Sequence, residues 1–157
     1  IEEANKFAEE NGMEPIRISQ INYSLAHSSV ETFGDNTLVC MDTKEFRWYK
    51  KHDFPVMAFS PQAKGFFAKL AKGDAANNLP EGQYAGPANL ARLAKVKQLS
   101  EQTGDTPAKI TLGYLNSQPF FVSSVFAVTK LWQLDEDMEA QDLTYDPKTV
   151  AFLENMI

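Results

Sequence analysis

The sequence is poor in the residues that build disulfide frameworks and metal centres. Of its 157 residues, only Cys40 is a cysteine, and His27 and His52 are the only histidines. A single cysteine excludes an internal disulfide and any zinc site made of several cysteines. The two histidines lie far apart and lack metal-ligand spacing. A thiol without a partner fits a reducing compartment, so we expect a cytoplasmic protein.

Long apolar runs and excess positive charge are also missing. No run approaches the roughly 20 apolar residues of a membrane span, and no signal-peptide pattern opens the chain. Fifteen Lys and Arg face 21 Asp and Glu, which gives a formal net charge of -6. This balance argues against electrostatic binding to nucleic acid or to an anionic membrane surface.

What the chain does have is enough apolar material for one domain. Hydrophobic residues make up 43% of the sequence and aromatic residues 11%, so residues 1–157 can form a single domain with a sizeable core. The chain begins with Ile1 inside a helical pattern that no capping residue precedes. We therefore expect the sequence to be a piece of a longer protein.

Hydrophobic spacing and turn residues predict the order helix, strand, helix, strand, two helices, strand, two helices. The predicted strands are 16–24, Val56–Phe59 and 120–128. Asp42 or Thr43 can cap the second helix, and Thr106 before Pro107 caps a later one. Two long polar stretches, 25–36 and 73–86, are predicted loops. Short apolar strands that alternate with helices indicate a parallel α/β sheet.

Three parallel strands are few for a chain with this much helix. Helices can cover one face of the sheet, but the other face and both outer edges need cover as well. This shortage predicts an arc of a closed barrel, which has to associate, exchange elements or rearrange when it is isolated.

Four stretches of the sequence resemble the aldo-keto reductase family. They are the segment 59–67 (FSPQAKGFF), Gln20 with Tyr23 and Ser24, the helix of 106–119 (TPAKITLGYLNSQP), and 133–137 (QLDED). They occur in the family's order along the chain. The resemblance implies a partial (β/α)8 TIM barrel in which the three strands are strands six to eight with their helices. The family's catalytic Asp, Tyr, Lys and His lie on earlier strands, and none stands here at a matching position.

The resemblance implies residues for the nicotinamide half of an NADP(H) site. Phe59 would stack on the nicotinamide ring, and Gln20 would hydrogen-bond its carboxamide. The turn formed by Ser60, Pro61, Gln62 and Gly65 would hold the pyrophosphate through backbone N–H groups and a hydroxyl. Read from the residues alone, Phe59 fits an ordinary core residue better than a stacking residue, and only the resemblance reverses that. Gln20 can equally be a polar group satisfied inside the sheet.

The adenosine half of the site would follow the third strand. Lys130, Gln133 and Asp137 occupy family positions there, but residues 125–129 lack the usual Pro, Gly and Arg. Lys130 would substitute for an arginine at the 2′-phosphate. Asp137 replaces an asparagine and, as a carboxylate, cannot donate to adenine. The alternative for Lys130 and Asp137 is a solvated helix surface.

The remaining candidate groups have structural interpretations. His27 and His52 read as surface residues, although a Cys40–His nucleophile pair stays open. Trp48 and Trp132 read as core or packing residues.

Two functions of different classes follow. In the first, the chain is the C-terminal half-barrel of an NADP(H)-dependent reductase of small carbonyl compounds. It would be inactive alone and would pair with the missing N-terminal half. In the second, it is a non-catalytic, self-associating binding or scaffold module.

Overall fold

The computed structural model describes residues 1–73 and 84–154. The helices are α1 (Glu2–Glu10), α2 (Val30–Phe33), α3 (Thr43–His52), α4 (Phe66–Ala71), α5 (Pro87–Thr103), α6 (Pro107–Asn116), α7 (Leu131–Glu139) and α8 (Pro147–Leu153). The strands are β1 (Ser19–Asn22), β2 (Val56–Phe59) and β3 (Val122–Val125), and a 3-10 turn covers Ala63–Gly65. None of the helices in the described ranges is long and apolar enough to cross a membrane.

The three strands form one parallel sheet in the order β1-β2-β3. This confirms the predicted α/β class. β1 and β3 are shorter than the predicted strands 16–24 and 120–128, because residues join the sheet only where a neighbouring strand is present to pair with them. Pro55 has no N–H to donate just before β2, and beyond Phe59 the backbone turns away at Ser60, whose φ is 52°.

The two faces of the sheet differ in burial. Ile21, Val56, Ala58 and Val122 point to one face and are buried in the main core with residues of α5 and α6. The opposite face includes Gln20, which is exposed, and Val125, which is 38% exposed. Asn22 on this second face is only 1% exposed, so the face is more exposed than the core face but is covered in part.

Several helices begin where the capping chemistry predicts. The Asp42 side chain, not that of Thr43, caps α3 by accepting a hydrogen bond from the Glu45 N–H. Thr106 caps α6 in the same way, and Asp146 caps α8. These caps use short-range sequence signals, so the sequence could predict them.

The helical prediction also contains errors. It missed α4, whose buried Phe66, Phe67 and Leu70 carry an i, i+1, i+4 pattern. The polar stretch 25–36 contains the short helix α2, and most of the loop predicted at 73–86 lies outside the described residues. Phe7 on α1 and Leu90 on α5 are exposed, so not every apolar residue at helical spacing in these helices faces the core.

Candidate functional site

The carboxyl ends of β2 and β3 open onto a cleft of about 1200 Å³. Its walls are the turn after β2 with α4, parts of α5 and α6, and the segment from Val125 to Asp137. The structure brings six of the nine predicted site residues to this cleft, namely Ser60, Pro61, Gln62, Gly65, Gln133 and Asp137. Gln20, Phe59 and Lys130 are not among its lining residues.

The turn after β2 is held in an unusual backbone conformation. Ser60, Ala63 and Lys64 all have positive φ, between 49° and 56°, and Gly65 has a φ of 79°. Three non-glycine residues in the left-handed region carry a conformational cost that the surrounding structure must offset. Such strain is concentrated at functional sites, so this turn is a strong candidate for ligand contact.

A hydrogen bond joins two residues of the cleft lining that are far apart in the sequence. The Gln62 Nε2 group donates to Asp137 Oδ1 over 2.6 Å. Asp137 is only 4% exposed, and its Oδ2 has no hydrogen-bond partner within the described ranges. Burial raises the pKa of this carboxyl, while the bond from Gln62 opposes that rise. Asp137 is thus a buried group at the cleft, and the reading as solvated helix surface was wrong.

Gln133 and Lys130 lie at the start of α7 but in different surroundings. The Gln133 side-chain oxygen accepts from the backbone N–H groups of Thr129 and Lys130. These bonds satisfy donors at the beginning of the helix. Lys130 is exposed and does not line the cleft. Its role as the partner of the 2′-phosphate stays a prediction.

Phe59 and Gln20 point to the open face of the sheet. Phe59 is the last residue of β2, pairs in register with Asn22 and Val125, and is half-buried. Gln20 is exposed and pairs in register with Met57, so its reading as a polar group satisfied inside the sheet was wrong. Their roles toward a nicotinamide ring stay predictions.

Charged side chains of both signs line the cleft. The lysines are Lys64, Lys69, Lys72 and Lys97, and the acidic residues are Glu101, Glu136 and Asp137.

Trp132 also lines the cleft and is 54% exposed, so its reading as a core residue was wrong. The Lys72 ammonium lies 5.1 Å from the centre of its ring. Trp48, by contrast, packs against Tyr49, Phe54 and His52. The sequence contained one signal for this contact. Trp132 lies at the start of the helix that follows β3, and parallel sheets place ligand contacts beyond the carboxyl ends of their strands.

In the described part of the chain, Cys40 and His52 have structural surroundings rather than those of a nucleophile or a metal ligand. Cys40 is buried, and burial raises the pKa of its thiol, which disfavours the reactive thiolate. His52 contacts the Trp48 carbonyl and the Glu2 carboxylate. The described residues contain no group of three or more His, Cys, Asp or Glu side chains that could hold a metal ion.

Comparison with known proteins gives one family and one fold. The sequence model of the aldo/keto reductase family matches residues 1–157. A thermostable aldo-keto reductase crystallised with the inhibitor epalrestat aligns over 97% of this chain with a TM-score of 0.61 and 14% identity. An aldo/keto reductase from Klebsiella pneumoniae, in complex with NADP and acetate, aligns over 88% with a TM-score of 0.56 and 19% identity. The aligned regions span only 44% and 38% of those proteins.

Proposed function

Because this chain belongs to the aldo/keto reductase family, we propose that it supplies part of the NADP(H) site of a carbonyl-reducing oxidoreductase. The bound cofactor would supply the hydride that reduces a small aldehyde or ketone. The three strands would be strands six to eight of a (β/α)8 barrel, with the open face of the sheet turned to the barrel interior.

The observation that carries this proposal is the cleft at the carboxyl ends of β2 and β3. Barrel enzymes place their sites at this end of the strands. The strained turn from Ser60 to Gly65 offers a hydroxyl and backbone groups, and the lysines offer positive charge to phosphate oxygens. The unpartnered Oδ2 of Asp137 fits a ligand that has a hydrogen-bond donor.

Phe59 and Gln20 would complete the nicotinamide end. Phe59 lies at the strand end and is partly exposed, and Gln20 lies on the same face of the sheet. A flat ring can lie against Phe59, and the Gln20 amide can both donate to and accept from a carboxamide.

The tyrosines of this chain support the proposal that it does not reduce carbonyls alone. Burial raises the pKa of all five, Tyr23, Tyr49, Tyr84, Tyr114 and Tyr145. A tyrosine that protonates a substrate near neutral pH needs a lowered pKa instead. The proton donor would come from the remaining part of the barrel, as would a neighbouring lysine.

Titration of the purified chain with NADPH tests this function, with ligand fluorescence as the readout. We expect saturable binding and no NADPH oxidation when an aldehyde is added. Lys97→Glu reverses a charge in the cleft and should weaken binding, whereas Lys148→Glu makes the same change on the exposed surface of α8. Absence of binding, or equal effects of the two variants, would contradict the proposed site; turnover of the aldehyde would contradict inactivity.

A second candidate function is a self-associating, non-catalytic module. The open sheet face favours it, since Val125 and Gln20 are exposed there. Among the described residues, the outer edge of β1 is paired at Asn22 alone, through Val39 and Met41. Light scattering after size-exclusion chromatography separates the two candidates: dimers that bind no NADPH support the module, and monomers that bind NADPH support the reductase fragment.

A further inference from the structure

Asn22 is a buried polar side chain at the carboxyl end of β1. It is only 1% exposed, and it pairs in register with Phe59 on the sheet face that also carries Gln20. Its Oδ1 accepts a hydrogen bond from the Ser28 hydroxyl over 2.6 Å, but its Nδ2 has no hydrogen-bond partner among the described residues. A buried donor without a partner is costly, so a role for this amide has to be sought.

A second unpartnered group lies beside Asn22. The Tyr84 side chain is 5% exposed, and its hydroxyl has no hydrogen-bond partner within the described ranges either. Burial raises the pKa of this hydroxyl, and the neighbouring Asn22 side chain opposes the rise. The two groups are therefore close, although they form no hydrogen bond of ordinary geometry. Because the amide donates and the hydroxyl can donate or accept, one ligand oxygen can satisfy both.

The segment that follows β1 closes this position off from solvent. The Asn22 N–H donates to the Val39 carbonyl over 2.9 Å, and the Asn22 carbonyl accepts from the Met41 N–H over 2.8 Å. Together with the bond from Ser28, these contacts hold both ends of the segment 25–41 against Asn22. A ligand therefore reaches Nδ2 when this segment lifts from the end of β1.

The surrounding groups favour an uncharged ligand. The Asn22 amide and the Ser28 and Tyr84 hydroxyls are neutral. Burial raises the pKa of the adjacent Cys40 thiol, a contact from Ser28 opposes the rise, and the nearby Glu31 carboxylate adds to it. A carboxylate at this position repels an anion, whereas amide and hydroxyl groups suit a hydroxyl or carbonyl oxygen.

We propose that Asn22 Nδ2 and the Tyr84 hydroxyl form a specificity site that binds a hydroxyl oxygen of an uncharged substrate beside Phe59. This assignment rests on the proposed function, because barrel enzymes bind their substrates at the carboxyl ends of the strands. The site belongs to the end of β1, and neither residue is among those that line the cleft at β2 and β3. An apolar carbonyl compound leaves both polar groups unpaired and is therefore bound less well.

The stability of the free protein provides the first test. Tyr84→Phe removes a hydroxyl without a partner, so we expect an unchanged or higher melting temperature. Tyr49→Phe is the matched control at the opposite end of β1, because the Tyr49 hydroxyl lies 2.8 Å from that of Ser19. This control should lower the melting temperature. An equal loss in Tyr84→Phe would show that its hydroxyl is already satisfied, and the proposal would be wrong.

NMR titration with glycerol and with glycerate, its anionic counterpart of equal chain length, measures binding. Glycerol should shift the side-chain amide resonances of Asn22, and glycerate should bind more weakly. Asn22→Leu, followed through neighbouring backbone amides, should weaken glycerol binding roughly fivefold, and Tyr84→Phe should do the same. Asn36→Leu is the matched control, because it makes the same change at an exposed position of the covering segment. Circular dichroism verifies folding, and Tyr84→Phe carries the test if Asn22→Leu does not fold.

The outcomes separate this site from the proposed function. If glycerol leaves the Asn22 amide unmoved, or binds Asn22→Leu and Asn36→Leu equally well, the site is wrong. Glycerate binding as tight as that of glycerol would contradict an uncharged ligand. NADPH is titrated into the same samples: binding of NADPH without glycerol refutes the site alone. Binding of glycerol at Asn22 without NADPH refutes the proposed function and leaves the site in place.

Discussion

Asp137 shows at the level of one residue how the environment changes chemistry. On a solvated helix, an aspartate is an ordinary charged group, but here only Gln62 contacts one of its oxygens and the other has no partner in the described ranges. Removal from water disfavours the charged form, which raises the pKa. The folded chain therefore holds this proton more tightly than the unfolded chain does.

Asp137→Asn should raise the unfolding free energy at pH 7 by about 1 kcal/mol, because it removes a buried charge and keeps an acceptor for Gln62. The raised pKa means that the unmodified protein loses stability as the pH rises from the ordinary carboxyl value of 3.8 through the folded-state value. The variant should lack this loss. Urea unfolding at several pH values measures the difference, and a constant difference at all pH values would contradict the assignment.

A second prediction at the residue scale concerns Gly113 in α6. A Cβ atom at this position in α6 would lie 2.8 Å from the Tyr145 ring and 2.9 Å from Leu143 Cγ. Gly113→Ala should therefore destabilise the protein by about 1–3 kcal/mol through overpacking, despite the better helix propensity of alanine. Gly86→Ala is the control, because its Cβ would meet no atom of the described residues within 4 Å. Equal melting temperatures of the two variants would show that the C-terminal segment does not pack on α6 as described.

At the level of elements, Asn89 ties a loop to a helix. Its Oδ1 accepts from the His27 N–H, and its Nδ2 donates to the carbonyls of His27 and Tyr84. Asn89 is buried on α5, so these bonds fix the segment that follows β1. Nothing in the local sequence predicts them, because the partners His27 and Asn89 are 62 residues apart.

Asn89→Asp should free this loop, because a carboxylate keeps the acceptor but loses both donor bonds. Hydrogen exchange at the His27 amide should accelerate by at least tenfold. The Asp42→Ser variant, which preserves a capping side chain at α3, should leave exchange at His27 unchanged. Unchanged protection in Asn89→Asp would show that other contacts hold the loop.

At the scale of the whole molecule, the sheet has one covered face and one open face. The prediction of an incomplete barrel came from the number of strands, since parallel strands are normally buried on both sides. The structure has that open face, and the matched relatives are more than twice as long as the regions they share with this chain. Pairing with the rest of a barrel and self-association both stay proposals, and they differ in what covers the more exposed face of the sheet.

Val125→Lys tests whether the open face mediates self-association. A charge in an apolar interface should weaken a dimer of the isolated chain at least tenfold, because the ammonium must lose its water. Leu90→Lys makes a comparable change at an exposed position on α5. Sedimentation over a range of protein concentrations measures both, and equal dissociation of the two variants would place the contact elsewhere.

The sequence by itself determined the order of most elements, the three parallel strands, the helix caps and the family. These features depend on neighbouring residues, on hydrophobic spacing, or on motifs that occur in a fixed order. The tertiary structure alone decided that Asp137 is buried against Gln62, that Trp132 faces the cleft, and that Lys72 rather than Lys130 lines it. Gln62 and Asp137 are 75 residues apart, and the burial of each depends on how distant elements pack, which local sequence patterns do not encode.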